Sequence, residues 1–230
     1  MLKLDGCAIS NGDFILRANL QIETGSRVAI IGPSGAGKST LLEAVAGFRD
    51  LAAGQIYWRG SDITGLPPGQ RPLAMLFQDG NLFPHLTAGQ NIALGLHPNG
   101  RLSADEQAQV HSALDRVGLP DMADRRPAQL SGGQQSRVAL ARVLVQQRPL
   151  LLLDEPFAAL GPALKAEMLD LVSALTTEAG TTMMMVSHDP QDARRIASHS
   201  LLVADGLAHP VTETSTLFDN PPPALRDYLG

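Results

Sequence analysis

The sequence predicts an α/β fold in which a mostly parallel sheet follows an antiparallel β subdomain at the N-terminus and is interrupted by a helical subdomain. Three observations predict it. Near-continuous apolar runs at Arg27–Ile31, 150–153 and Thr182–Val186 are typical of parallel strands covered by helices on both faces. Residues 16–22 instead alternate apolar and polar, the period of a strand with one buried face. Helix signals fill the middle of the chain, which indicates an inserted helical subdomain.

The inserted region is expected between Gln78 and Pro149, after a further strand candidate at residues 73–77. Ser103 and Glu106 have the spacing of a capping box, which predicts a helix from there to about Gly118. A second predicted helix carries an apolar stripe formed by Val138, Ala141, Leu144 and Val145. We therefore expect one domain over residues 1–230, with a core of residues 1–85 and 149–230 and a helical subdomain of about residues 86–148.

Composition limits the classes of function. A chain of 230 residues with 44% hydrophobic and 18% charged residues is long and apolar enough to bury a sizeable core. Its net charge of −5 argues against a sequence-independent grip on nucleic acid, so no nucleic-acid partner is expected. Cys7 is the only cysteine, which excludes an intrachain disulfide and a cysteine-rich zinc site. No apolar run approaches the roughly 18 residues that span a bilayer, so we expect membrane association only through a partner.

The strongest motif is the glycine loop GPSGAGKST, which matches G-x-x-x-x-G-K-[ST] between an apolar strand and a predicted helix at residues 41–46. Such a P-loop predicts a nucleoside triphosphatase core. Its backbone N–H groups surround the phosphates, Lys38 reaches the β and γ oxygens, and the Ser39 hydroxyl can bind Mg²⁺. The predicted nucleotide-binding residues are Gly32, Pro33, Ser34, Gly35, Ala36, Gly37, Lys38, Ser39 and Thr40.

Four polar side chains follow predicted strands whose ends would face the same phosphates. Asp154 and Glu155 end the 150–153 run, where parallel sheets bind ligands, and they suit Mg²⁺ binding and water activation respectively. Gln78 could bind Mg²⁺ or the water, and His188 could donate a hydrogen bond to the γ-phosphate. Taken singly, Gln78 and His188 are also typical of exposed polar surface.

A second glycine loop, Ser131, Gly132, Gly133 and Gln134, precedes the helix with the apolar stripe. One nucleotide needs one such loop, so two interpretations stand. The segment is either a tight turn entering a helix, or half of a phosphate site that another copy of the chain completes.

Together with LSGGQ at residues 130–134, these motifs in this order resemble the ATP-binding cassette family over essentially the whole chain. The resemblance implies a head-to-tail homodimer that holds two ATP molecules with Mg²⁺. Each ATP would lie between residues 32–40 of one subunit and 131–134 of the other. It also implies an integral membrane permease and a periplasmic substrate-binding protein as partners. The chain would then be peripheral, at the cytoplasmic face of the inner membrane, with the permease docking near Gln78.

Within the family, three stretches resemble the ATPase subunits of bacterial importers of the thiamine type: residues 71–96, 150–172 and 184–206. The alternatives are an importer ATPase for another small solute, such as an inorganic anion, iron or a polyamine, or a soluble cassette ATPase that works on nucleic acid or ribosomes. A P-loop kinase is a third alternative, but it gives the second glycine loop no purpose.

The sequence departs from the usual pattern of the family at two places. Gly161 stands where the family usually has an aspartate that couples the two sites, so strong coupling does not follow from the resemblance. Ser10, Asn11 and Gly12 stand where an adenine-stacking aromatic is common, which leaves Phe14 as the nearest candidate.

Overall fold

The computed structural model describes residues 1–12, 14–78, 80–99 and 101–229. The strands are β1 (Leu2–Asn11), β2 (Phe14–Ile22), β3 (Arg27–Ile31), β4 (Leu51–Trp58), β5 (Ser61–Asp62), β6 (Leu73–Leu76), β7 (Leu150–Asp154), β8 (Thr182–Val186), β9 (His199–Ala204), β10 (Leu207–Ala208) and β11 (Thr212–Glu213). The helices are α1 (Lys38–Ala46), α2 (Ala88–Ala93), α3 (Ala104–Arg116), α4 (Gly132–Leu144), α5 (Pro162–Glu178), α6 (Pro190–Ile196), α7 (Thr214–Asp219) and α8 (Pro223–Leu229). In the described part of the chain, no helix combines the length and apolarity that crossing a membrane requires.

Two compact units make up the chain. The first comprises residues 1–73, 149–155 and 172–230, and the second comprises residues 74–148 and 156–171. Helix α5 therefore begins in the second unit and ends in the first. The division of the sequence into a core and a helical subdomain of residues 86–148 stays a prediction.

The sheet of the first unit has the strand order β5-β4-β1-β2-β10-β9-β3-β8-β7, with β11 paired to β9. Strand β1 pairs antiparallel with β2 and β4, whereas β3 pairs parallel with β8 and β9, and β7 pairs parallel with β8. The predicted fold class is confirmed: a mostly parallel core joined to an antiparallel N-terminal β region.

The parallel strands are apolar because both of their faces are covered. Helix α1 contacts β7 and β8, helix α6 contacts β3, and Val28, Leu152 and Met184 are fully buried. Each such side chain contributes roughly 1.5–3 kcal/mol by leaving water. Since β3, β8 and β7 are parallel neighbours, the segments that follow them lie along one edge of the sheet.

The second unit packs α2, α3 and α4 against one another. All three begin with a capping box, in which the side chains at the N-cap and at the third helical residue bind each other's backbone N–H groups. The predicted box at Ser103 and Glu106 is confirmed, and α3 ends at Arg116, just before the left-handed Gly118. Three of the four residues of the predicted stripe lie on α4, where Val138 and Ala141 are fully buried and Leu144 is half-buried. The fourth, Val145, is buried just beyond the end of the helix.

Candidate active site

The glycine loop connects β3 to α1 in the first unit, and its backbone requires glycine at both ends. Gly32 has a φ of 143°, and a Cβ there would lie 2.1 Å from the carbonyl oxygen of Val203. Gly37 is the N-cap of α1, is left-handed and provides no side-chain cap. The first N–H groups of α1 are thus left for an anion, which the positive end of the helix favours.

Lys38 lies almost completely buried against this loop. Its Nζ donates hydrogen bonds to the carbonyl oxygens of Gly32 and Pro33, both at 2.8 Å. Burial lowers the pKa of Lys38, while the carboxylates of Glu155 and Asp154 act in the opposite direction. A phosphate group at the loop would supply the anionic partner that the buried ammonium group requires.

Ser39 and Asp154 form a pair of oxygen ligands at the same edge. The Ser39 hydroxyl donates to Asp154 Oδ1 at 3.0 Å. Burial raises the pKa of Asp154, and the hydrogen bond from Ser39 opposes this shift. A hydroxyl and a carboxylate are hard ligands that fit Mg²⁺, which is commonly held by one or two carboxylates together with phosphate and water. No group of three or more His, Cys, Asp or Glu suited to a metal occurs among the described residues.

Glu155 and His188 form a second pair beside the first. The Nδ1 of His188 lies 2.8 Å from Glu155 Oε2, and their side chains are 55% and 24% exposed respectively, so water can reach both groups. Glu155 has a φ of 43°, which is strained for a residue other than glycine, and its N–H donates to Val186 O at 3.2 Å. A carboxylate held in this way next to an imidazole can accept a proton from water.

The backbone around His188 is fixed by two buried polar residues that the sequence analysis missed. The Ser187 hydroxyl donates to Asp192 Oδ2 at 2.6 Å and accepts from the Asp189 N–H at 3.0 Å. The backbone N–H of Ser187 donates to Ile30 O at 3.2 Å, which fixes the segment after β8 to β3. An aspartate at 192, in the first turn of α6, is the one sequence signal for this support.

Two of the predicted elements lie in the second unit. Gln78 follows β6 and its side chain is exposed. Ser131 is the N-cap of α4: its Oγ accepts from the Gln134 N–H at 3.3 Å, and Gln134 Oε1 accepts from the Ser131 N–H at 2.9 Å. Gly133 is buried, and a Cβ there would lie 2.4 Å from Leu164 Cδ2. The second glycine loop is therefore internally capped and carries no charged side chain.

Phe14 lies against the first glycine loop. Its ring edge comes within 3.0 Å of the position that a Cβ on Gly37 would occupy, and the side chain is partly exposed. An aromatic ring at the loop can stack on a flat base, so Phe14 remains the candidate for adenine stacking.

Comparisons with known proteins show which family the sequence matches. The family model described as ABC transporter matches residues 15–158. The thiamine import ATP-binding protein ThiQ of Ruegeria sp. (strain TM1040) is 63% identical over 230 residues, and that of Cereibacter sphaeroides is 57% identical, with both chains covered completely in each case. ThiQ of Escherichia coli (strain K12) is 51% identical over 206 residues, which cover 90% of this chain and 89% of that protein.

Two solved structures match the fold. A dimeric structure of the bacterial ABC transporter cassette MJ0796 has a TM-score of 0.80 at 32% identity and covers 93% of this chain and 99% of that chain. A dimeric post-hydrolysis state of the same cassette, bound to ADP and phosphate, has a TM-score of 0.79 at 31% identity, with the same coverage.

Proposed function

Since the chain belongs to the ABC transporter family, we propose that it is the ATP-hydrolysing subunit of an importer and that the imported solute is thiamine. One observation carries the ATPase: the Ser39–Asp154 pair and the Glu155–His188 pair lie beside Lys38 in the first unit. Thiamine is the solute in the names of relatives that match over their full length at 57–63% identity.

Residues 32–40 bind the triphosphate of ATP in this proposal. Lys38 turns from the carbonyls of Gly32 and Pro33 to the β and γ oxygens, and Ser39 and Asp154 hold Mg²⁺. When bound, Mg²⁺ neutralises charge that develops on the phosphate oxygens. Phe14 supports the adenine base.

Glu155 acts as the general base. It accepts a proton from water as the water oxygen bonds to the γ-phosphorus and the bond from that phosphorus to the bridging oxygen breaks, which yields ADP and phosphate. His188 donates a hydrogen bond to the γ-phosphate, and Gln78 orients the water or binds Mg²⁺. The contact between Glu155 and His188 supports this assignment because it holds the two side chains ready at one place.

The second glycine loop serves the nucleotide of another copy of the chain. Residues 131–134 offer a capped helix N-terminus and the Ser131 hydroxyl, whose hydrogen the cap does not use, but they carry no base or cation. Such a surface can bind a γ-phosphate and cannot hydrolyse it. The dimeric state of the similar cassettes supports a homodimer with two shared sites.

The second unit supplies the surface for the permease. A groove of about 510 Å³ is lined by Gln78, Leu82, Pro84, Ala139 and Phe157. Phe83 follows Leu82 in the chain and is 46% exposed, so this surface suits the apolar side of a short helix. The permease would keep the chain at the cytoplasmic face of the inner membrane, and the periplasmic binding protein would select thiamine.

The test is ATP-driven uptake in proteoliposomes that contain this chain and its permease, with the binding protein outside. Thiamine should accumulate with ATP inside, and the Glu155→Gln chain should abolish accumulation. Uptake of an inorganic anion, iron or a polyamine in place of thiamine would support the role as an importer ATPase and refute thiamine as the solute. Thiamine uptake by the Glu155→Gln chain would refute the role of Glu155 as general base.

A further inference from the structure

A tight turn follows Gln78 in the second unit. The Gly80 N–H donates to Phe77 O at 3.0 Å, and Gly80 and Asn81 both have positive φ, of 62° and 45°. Asparagine is, after glycine, the residue that most readily adopts a left-handed backbone, so both residues suit this turn. The carbonyl groups of Gly80 and Asn81 accept hydrogen bonds from a side chain outside the turn.

Arg142, in the last turn of α4, binds both of these carbonyl groups. Its Nη1 donates to Asn81 O at 2.8 Å and its Nη2 donates to Gly80 O at 2.7 Å. Burial lowers the pKa of Arg142, but a guanidinium group remains charged at neutral pH. Its planar fork can reach two acceptors at once, whereas a lysine presents a single point charge.

The far side of the same segment is held independently by Asn91 of α2, which is fully buried. Asn91 Oδ1 accepts from the Phe83 N–H at 2.8 Å, and its Nδ2 donates to the carbonyl oxygens of Phe83, Leu86 and Thr87. Loss of Arg142 would therefore release the turn beside Gln78 while residues 83–87 stay in place.

Helix α4 connects this turn to the second glycine loop. Ser131 caps its first turn, Arg142 lies in its last turn, and Ser136 and Ala139 between them line the same groove as Gln78. We propose that Arg142 is a positioning residue that fixes the Gly80–Asn81 turn, which lies close after Gln78 in the chain, to α4, the helix that Ser131 caps.

The consequence rests on the proposed function, in which Gln78 and Ser131 of one chain serve two different ATP molecules. Arg142 then links the two sites mechanically. It would also make the groove a single surface, so that a helix seated there moves Gln78 and Ser131 together.

The experiment compares Arg142→Met and Arg142→Lys with matched changes at Arg137 in the full chain. Arg137 lies on the same helix, but its Nη1 donates to Val117 O at 2.7 Å and its Nη2 pairs with Glu167 at 2.5 Å. Amide hydrogen exchange is measured at Gly80 and Phe83. The kcat and KM for ATP and the melting temperature are measured in parallel.

In Arg142→Met, exchange at Gly80 should accelerate at least about tenfold and exchange at Phe83 less than about threefold, because Asn91 still holds Phe83. The kcat should fall about tenfold with KM for ATP changed less than about twofold. Arg142→Lys should give intermediate values, since one of the two carbonyls can still be bound. Arg137→Met should lower the melting temperature comparably without accelerating exchange at Gly80.

Unchanged exchange at Gly80 in Arg142→Met, or equal acceleration in Arg137→Met, would overturn the proposal. The proposal would also be overturned if Arg142→Met exchanged faster at Gly80 but kept the wild-type kcat, provided that the wild-type chain hydrolyses ATP. A wild-type chain without ATPase activity would instead refute the proposed function, and the Gly80 exchange ratio would still decide whether Arg142 holds the turn.

Discussion

The two glycine loops of this chain both open onto a helix, yet they are built in opposite ways. Residues 32–37 leave the N-terminus of α1 without a side-chain cap and place Lys38, Ser39 and two carboxylates beside it. Residues 131–134 satisfy their own helix end with a reciprocal capping box and hold no charge. The comparison teaches that an uncapped helix end with charged side chains beside it suits phosphate hydrolysis, whereas a capped, neutral one can bind a phosphate but lacks the groups to hydrolyse it.

Removal of the general base is the largest expected effect, because the groups proposed for the chemistry lie beside the first loop and not beside the second. In Glu155→Gln, kcat should fall roughly 10³-fold while ATP binding is kept, since an amide cannot accept the proton from water. Steady-state hydrolysis and equilibrium ATP binding measure the two effects. Glu23→Gln, at an exposed glutamate, is the control and should hydrolyse ATP normally. A wild-type kcat in Glu155→Gln would contradict the assignment of Glu155 as general base.

A pair of alanine substitutions compares the backbones of the loops. In Gly32→Ala the new Cβ would lie 2.1 Å from Val203 O at a φ of 143°, so unfolding free energy should fall by about 3 kcal/mol. In Gly132→Ala nothing lies within 4 Å of the new Cβ, and stability should change by less than about 1 kcal/mol. Urea unfolding measures both. Equal losses in the two variants would contradict the difference in constraint.

Asp154→Asn should raise stability without nucleotide and Mg²⁺, while it abolishes Mg²⁺-dependent hydrolysis. Burial raises the pKa of Asp154, so the ionised carboxylate costs folding free energy. That cost is absent below the ordinary carboxyl pKa and appears as pH rises through the raised value. The variant should therefore be more stable than the wild-type chain at neutral pH and equally stable in acid. Unfolding of both chains at several pH values checks this prediction. A stability difference that increases toward acidic pH would contradict it.

The smallest expected effect concerns Gly161, which precedes α5. The Lys165 N–H donates to Gly161 O at 2.9 Å, so Gly161 occupies the N-cap position, and a Cβ there would meet nothing within 4 Å. Gly161→Asp should gain a few tenths of a kcal/mol, about 0.3, by adding a capping oxygen. Thermal unfolding measures the gain, and Gly132→Asp, inside an already capped helix start, should show none. A loss at Gly161 would show that the position requires glycine.

The sequence predicted the core of the site because its signals are local. Apolar runs located β3, β7 and β8, and their shared parallel direction brought Lys38, Asp154 and His188 to one edge. The capping box at Ser103 was readable for the same reason, since its two partners are three residues apart.

The start of α1 was expected at residue 41 and lies at Lys38, because residues 38–40 are polar and so fall outside the apolar pattern that predicted the helix. Contacts between distant segments could not be predicted either. The bonds from Arg142 to Gly80 and Asn81 join residues about 60 positions apart. The roles of Gln78 and of residues 131–134 toward nucleotide stay predictions.

The central claim, that residues 32–40 and 131–134 of different chains form one site, is tested by mixing two defective chains. Lys38→Ala damages the first loop and Ser131→Arg damages the second, so each homodimer should be nearly inactive. In purified heterodimers one site contains both intact loops and the other neither, so about half of wild-type ATPase activity should return. Heterodimers no more active than the two homodimers would contradict the account.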